Sequence, residues 1–542
     1  MLTYQTTRAA KCIYFDGESA SLFGTGQLDT QMLHIYGNVT GPPRNPDHRG
    51  LWDEYARATG LCDWLKDKEL GGPGWGYEGI VRMNAGFEMI WCNFTSSSFR
   101  LISHLNVTAP LLSPDEEERV DENAEAALET SYFPLPPTST RTDIATSPSN
   151  PAIPPNWRGH DTQEPFLNSQ TWNWFLSGAS HYGSNGAGAG LGEARVKIIS
   201  CGFLNYYSPK FSSLAISRVD EEQKYLNLTK EGQWIGPNDN TSRSAGLNAL
   251  TRRRRVHTLE KTSPFDAAVM RADSEKVLLK LLHEASNCSY LDWTTVATEI
   301  VRTYSGPLSN FLKSIRKYDD FSKSNQTTLR DWMFTIREHT HTFLINFLQY
   351  PNGRPEDTIW GRHSVLFNET YSRCRFQYTR LLDPEEGLIL DHEELTLKWA
   401  VEEVTGGICS VLVDVGLSAE ALWQRRFNTP RNTSHLQGID KEVKRWSEGI
   451  EELMAWLGWA SDWVWCEKKC EWDEKCFIPM WPLIGSRGFI PHRPPYKYRG
   501  PPGYEFPPNG TRRRRPEGGY DTVFETGLWN PQCVKSDYFS RG

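Results

Sequence analysis

With 542 residues, 38% of them hydrophobic and 21 of them Trp, the chain exceeds one ordinary core and divides, at roughly 150 residues per domain, into two to four units. A formal net charge of −8 leaves no basic imprint for a phosphate backbone and argues against nucleic acid as a partner.

Residues 1–108 read as α+β. "KCIYFDG" predicts a buried strand that breaks at Asp16-Gly17, and "RGLWDEYARATGLCDWLKDKEL" spaces Leu51, Trp52, Tyr55, Ala58, Leu61, Cys62 and Leu65 at helical intervals. "GGPGWG" ends that helix. "GIVRM", "FEMIWCNF" and "FRLISHLNV" follow, joined by short turns, and predict an antiparallel meander. Residues 109–165 are first acidic and then rich in Pro, Ser and Thr, the composition of a disordered insertion. Residues 166–235 return to aromatic strand-like runs that complete the first domain. Residues 236–262 are polar, contain "TRRRRV" and read as a basic linker.

From Ser263 the pattern turns helical, with Ser263 as N-cap, Pro264 at the first helical position and Asp266 in the first turn. Helical periodicity runs on to residue 465. Residues 466–542 form a Cys-, Pro- and Trp-rich tail. The expected fold is an α+β N-terminal domain, a mainly α-helical domain and a disulfide-rich irregular tail.

Two bulk signals concern cellular location. Asn-X-Ser/Thr occurs ten times, at Asn38, Asn93, Asn106, Asn227, Asn240, Asn287, Asn325, Asn368, Asn432 and Asn509, none with Pro in the middle. This reads as a protein of the secretory pathway. There are 11 cysteines, and Cys466, Cys470, Cys476 and Cys533 fall in the tail, where disulfides would replace a missing core. The spacing of "CEKKCEWDEKC" does not suit a zinc module. The first residues contain no apolar signal segment, and no run of 18 or more apolar residues occurs; a signal or anchor segment is therefore expected outside this chain. Idle sequons in a cytosolic protein are the competing reading.

Candidate chemistry rests on carboxylates. Asp16 paired with Glu78 or Glu88 would suit a glycosidase, which needs one protonated and one charged carboxyl at a defined separation. The bland reading makes Asp16-Gly17 a turn and Glu18 a solvated neighbour. Arg82 and Glu88 flank a tight "NAG" connection and could pair across a hairpin, as an exposed pair or in a polar pocket. "GSNGAGAGLGEARV" precedes an apparent strand, the wrong order for a phosphate loop. It reads as a flexible loop near His181, Tyr182, Glu193 and Arg195, a second set of candidate binding residues. His339 and His341 stand two apart, on opposite faces of a helix, so no metal site is expected. No cofactor motif is found. Arg252–Arg255, at a domain boundary, would be open to a dibasic-specific protease.

"YFDGESASLFGTGQLD", "GYEGIVRMNAGFEMIWCNF", "GEARVKIISCGFLNYYSP" and "CEWDEKCFIPMWPL" resemble segments of an uncharacterised group of filamentous-fungal surface or secreted glycoproteins. The resemblance implies an extracytoplasmic, membrane-anchored protein and transfers no catalytic residue. The function expected is thus a surface or wall-associated ectodomain that binds a glycan, a cell-wall polymer or another protein. A carbohydrate-active hydrolase is the alternative, and a cytosolic protein the second alternative.

Overall fold

A computed structural model describes residues 2–15, 29–39, 54–83, 87–105, 197–214, 227–229, 234–237, 239–255, 261–283, 291–320, 326–349, 359–382, 390–428, 438–459, 469–472, 474–477 and 532–535, with 220, 223, 259 and 289. At 54, 82, 83, 87, 88, 248, 251–255, 474–477, 532, 534 and 535 the backbone alone is described. The expected insertion 109–165 lies outside these residues.

The N-terminal unit is α/β. Its strands are β1 (Leu2–Thr6), β2 (Lys11–Tyr14), β3 (Tyr77–Met83), β4 (Phe87–Trp91) and β5 (Phe99–His104), with helices α1 (Asp29–Tyr36) and α2 (Glu54–Asp67) between β2 and β3. The sheet is not the expected meander. β2 pairs with β3 in parallel and β3 with β4 antiparallel, giving the order β2-β3-β4, while β5 leaves to pair with β1. The reason is burial. Ile13, Phe15, Ile80, Val81 and Ile90 are all buried, so β2 and β3 are apolar enough to share a covered, parallel pairing, and the α1–α2 crossover supplies the cover. Leu61, Trp64 and Leu65 of α2 pack on Ile13, Phe15, Ile80 and Ile90. Cys62 of α2 is bonded to Cys92 at the end of β4, clamping helix to sheet. After α2, Glu69 takes a left-handed backbone conformation (φ 56°) and the chain turns back into β3.

Residues 200–202 form one 3-10 turn, and Leu228 and Trp234 form an isolated bridge. Among the described residues of 197–235 there is no strand, against expectation. Their aromatics anchor irregular chain instead: Phe211 and Leu214 pack with Leu33, Ala267 and Met270.

The segment expected to be a basic linker holds a helix, α3 (Asn240–Arg255). Asp239 starts it by accepting from Ser242 N at 2.7 Å. Its few apolar residues, Leu247 and Leu250, pack with Leu228, Trp234 and Ala455, so tertiary docking holds a helix that has little apolar stripe of its own. Arg252–Arg255, expected in a linker, continue its backbone to the end of the helix.

The following helices are α4 (Pro264–His283), α5 (Trp293–Arg316), α6 (Gln326–Leu344), α7 (Val365–Arg375), α8 (His392–Arg426) and α9 (Ile439–Leu457). Ser263 caps α4 as its sequence dictates, Oγ accepting from Asp266 N at 3.1 Å. Although expected in the helical domain, α4 completes the N-terminal unit: Leu278 joins the sheet core, and Tyr77 Oη donates to Leu278 O at 3.1 Å. The two segments therefore exchange places, α3 docking on the helical body and α4 on the sheet.

The helical body is built on α8, which packs against α5, α6, α7 and α9. Ile408, Leu412, Val413 and Val415 meet Leu308, Phe311, Met333, Ile336, Trp446 and Ile450 in one core. α8 is long and apolar enough to cross a membrane, yet more than half of its most apolar window is buried inside the protein. Polar bonds fix its register. Arg337 Nε and Nη2 donate to Glu420 Oε2 and Oε1 at 2.7 and 3.1 Å, and the same guanidinium lies 4.3 Å over the Trp423 ring. Cys374 of α7 is bonded to Cys409 of α8, both buried. Gly458, at φ 66°, closes α9 in the left-handed conformation glycine favours. In the tail, β6 (Glu474–Phe477) and β7 (Gln532–Lys535) pair antiparallel, and Cys470 is bonded to Cys533.

Candidate functional site

Glu78, the candidate acid on β3, is buried and fully engaged. Arg8 Nη2 donates to Oε1 at 2.6 Å, Gly74 N to Oε1 at 3.3 Å, and Ser98 Oγ to Oε2. Arg8 also donates to Ser98 Oγ at 2.7 Å. The carboxylate therefore binds the β1–β2 connection, the glycine turn and the start of β5 into one knot. Burial alone would raise its pKa; the Ser98, Arg8 and Gly74 hydrogen bonds and the Arg8 charge outweigh it and hold the carboxyl below its usual range. An ionised, saturated carboxylate is a structural anchor, not the protonated acid of a glycosidase pair.

Arg82 and Glu88 stand directly opposite each other in the β3–β4 register. They lie four residues along β3 from Glu78, roughly 13 Å of strand. Asp16, His181, Tyr182, Glu193 and Arg195 lie outside the described residues.

The structure brings together a different buried polar group, which the sequence reading missed. His34 of α1 is sandwiched between Phe15, ring centroids 5.5 Å apart, and Trp64, at 4.3 Å. Its Nε2 lies 3.2 Å from Tyr206 Oη, which lies 2.5 Å from Ser274 Oγ, which donates to Met270 O at 2.7 Å. Beside it Trp64 Nε1 donates to Glu275 at 3.1 Å, and Glu275 meets Lys68 and Arg271 at 3.1 and 3.2 Å. Burial, with the Arg271 charge second, pushes the His34 pKa down to about 3. Burial likewise pushes Tyr206 up to about 12. The imidazole is therefore neutral at physiological pH and the phenol protonated. The chain holds α1, α4 and the 200–214 segment in register and offers no mobile proton. Nothing in "TQMLHIYG" announces it, because its partners stand 172 residues on, at Tyr206, and beyond, at Ser274.

Among the described residues no group of three or more His, Cys, Asp or Glu is placed to hold a metal ion. His339, half-buried, lies 3.3 Å from Ser314 Oγ with its ring tilted against Phe311, centroids 5.8 Å apart.

Of the eight cysteines with described side chains, seven are disulfide-bonded, and Cys12 is the free thiol. Burial, then the Glu78 charge, pushes the Cys12 thiol up to about 11, which keeps it protonated and unreactive. In the tail, Cys470 and Cys533 are bonded to each other. Cys476 stands opposite Cys533 in the strand register, and Cys466 lies outside the described residues. Of the sequon asparagines, Asn93, Asn227, Asn240 and Asn368 are exposed and Asn38 half-buried, while Asn106, Asn287, Asn325, Asn432 and Asn509 lie outside the described residues. Large aromatics also face solvent, among them Tyr55, Trp75, Trp399 and Trp472.

Residues 1–122 match a family described as the YPL277C N-terminal domain. The chain is 22% identical over 499 residues to the uncharacterized protein YOR389W of Saccharomyces cerevisiae, which covers 89% of this chain and 64% of that protein. It is 31% identical over 137 residues to the uncharacterized yeast protein YPL277C, covering 23% of this chain and 26% of that one. The chain thus spans less than two thirds of the length of either relative. No solved structure matches it. What the chain resembles, over most of its length, is uncharacterised fungal protein.

Proposed function

We propose that the chain is an extracytoplasmic, N-glycosylated ectodomain of a surface or cell-wall-associated protein that binds a glycan, a wall polymer or another protein. The observation that carries this reading is the oxidised state of its cysteines: all described thiols but Cys12 are bonded, and stable disulfides belong to oxidising compartments. The Cys62–Cys92, Cys374–Cys409 and Cys470–Cys533 bonds occur in the sheet unit, the helical body and the tail, one in each of these described parts. The sequon asparagines whose positions are described reach solvent, and exposed Trp and Tyr supply the contact groups that glycan and protein recognition use.

The test is to express the untagged natural protein in a fungal host, fractionate the cells, and treat the protein with an endoglycosidase and, without reductant, a thiol-alkylating reagent. The expected result is a mobility shift on deglycosylation, recovery in the membrane, wall or medium fraction, and, among the eight described cysteines, alkylation of Cys12 alone after unfolding. A cytosolic protein with no shift and alkylatable Cys374 and Cys409 after unfolding would overturn the proposal.

A further inference from the structure

One sequon asparagine has both of its oxygens committed to nearby donors. Asn93 sits in the turn between β4 and β5, directly after the Cys62–Cys92 bond. Its Oδ1 accepts from Thr95 N at 3.0 Å and from Thr95 Oγ1 at 2.7 Å. Its main-chain O accepts from Ser96 N at 3.2 Å and from Trp91 Nε1 at 3.0 Å. Both oxygens are fixed, and Nδ2 of this exposed residue donates to no acceptor among the described residues. Elsewhere Asn38 spends its Nδ2 on Tyr36 O, at 3.3 Å, and Asn368 lies within α7 with the hydroxyl residue of its sequon, Thr370, fully buried. The hydrogen bonds that Asn93 itself makes all run to Trp91, Thr95 and Ser96.

Beside this amide lies an aromatic cluster. Tyr4 stacks on Phe99 at 5.0 Å, Phe99 on Trp91 at 4.4 Å, and Phe94 meets Tyr4 and Phe99 edge-on at 5.0 and 5.3 Å. Phe94 remains 38% exposed, next to an attachment point for a sugar whose C–H face suits an aromatic ring.

We propose that Asn93 is an N-glycan acceptor and that the first sugar of its glycan packs on Phe94, covering the aromatic cluster that joins β1, β4 and β5. The proposal rests on the secretory reading above. The donor is a lipid-diphosphate-activated oligosaccharide. The Asn93 Nδ2 lone pair forms a bond to the anomeric carbon, the bond from that carbon to the phosphate oxygen breaks, the lipid diphosphate leaves with the electron pair, and one Nδ2 proton is released.

The test uses the full chain directed into the secretory pathway of a eukaryotic cell by an added signal, so that its outcome is independent of the natural location. Glycopeptide mass spectrometry is expected to find Asn93 occupied. Trimming to a single sugar leaves Tm unchanged, while complete removal lowers it by about 2 °C or more. Phe94→Ser lowers Tm more in the glycosylated protein than in the Asn93→Gln background. An unmodified Asn93 beside any occupied sequon overturns the acceptor site and leaves the secretory reading standing. Absence of glycan at every sequon overturns the site too. An equal effect of Phe94→Ser in both backgrounds, or a loss of Tm on trimming equal to that on complete removal, overturns the packing.

Discussion

Arg243 and Glu451, 208 residues apart in sequence, meet at 2.7 Å. The same guanidinium reaches Glu452 Oε1 at 2.9 Å and Glu448 O at 3.0 Å, with its side chain largely buried between α3 and α9. This contact is what turns a stretch that looks like a polar linker into part of the helical body.

Replacing Arg243 with Met keeps the packing and removes the ion pairs. Glu451 retains Arg316 at 2.8 Å, so one acidic group, not two, is left unsatisfied. The expected cost is about 2 kcal/mol. It reads out as trypsin cleavage within Arg252–Arg255 at protease levels that spare the wild type.

Glu78→Ala removes the acceptor of Arg8, Ser98 and Gly74 and is expected to cost about 2 kcal/mol, with amide exchange faster in Leu2–Thr6 and Phe99–His104. Glu78→Gln keeps the acceptor and loses the charge, with a smaller effect. Because the folded pKa lies below the unfolded one, the Glu78 contribution is present above the ordinary carboxylate pKa and fades as pH falls through the folded value.

His34 acts in a higher window. Its unfolded pKa is near 6.5 and its folded pKa about 3. Above 6.5 both states are neutral and nothing is lost. Below it the unfolded chain binds a proton that the folded chain refuses, so stability declines by about 1.4 kcal/mol per pH unit until pH approaches 3. Denaturation midpoints from pH 7 to 5 will show this slope, and His34→Phe will flatten it whatever it does to stability at pH 7.

Cys374 and Cys409 are buried, whereas Cys470 and Cys533 are half-exposed. Mild reductant applied to the native protein should open Cys470–Cys533 while Cys374–Cys409 survives until the body unfolds, as timed alkylation and peptide mapping would record. Cys374→Ala together with Cys409→Ala is expected to cost about 3 kcal/mol, since the bond closes a loop of 35 residues.

Helices with a continuous apolar stripe or a clear cap were legible: α2 from the spacing of Tyr55, Ala58, Leu61, Cys62 and Leu65, α4 from Ser263-Pro264, and α8 and α9 from their periodicity. α3 was not, because Arg243 finds its partners some two hundred residues downstream and local composition is silent on that. α5 runs unbroken past Pro307, where a break would be expected, with Leu308 and Phe311 buried on the far side to hold it. The parallel β2–β3 pairing was hidden because a short apolar run looks the same in either orientation. For the candidate site, Glu78 was picked out as a carboxylate that would pair with Asp16. Its role was not visible, since that depends on Arg8 and Ser98, which nothing near Glu78 in sequence specifies.

The 35 residues of α8 make a rod about 52 Å long that touches four other helices. During synthesis this has a consequence of timing. α5, α6 and α7 leave the ribosome before the rod against which they close, so Phe311, Met333 and Phe367 have no finished core to enter until residue 426 has emerged. Nascent chains stalled before that point should hold on to chaperones, and those stalled well beyond it should let them go.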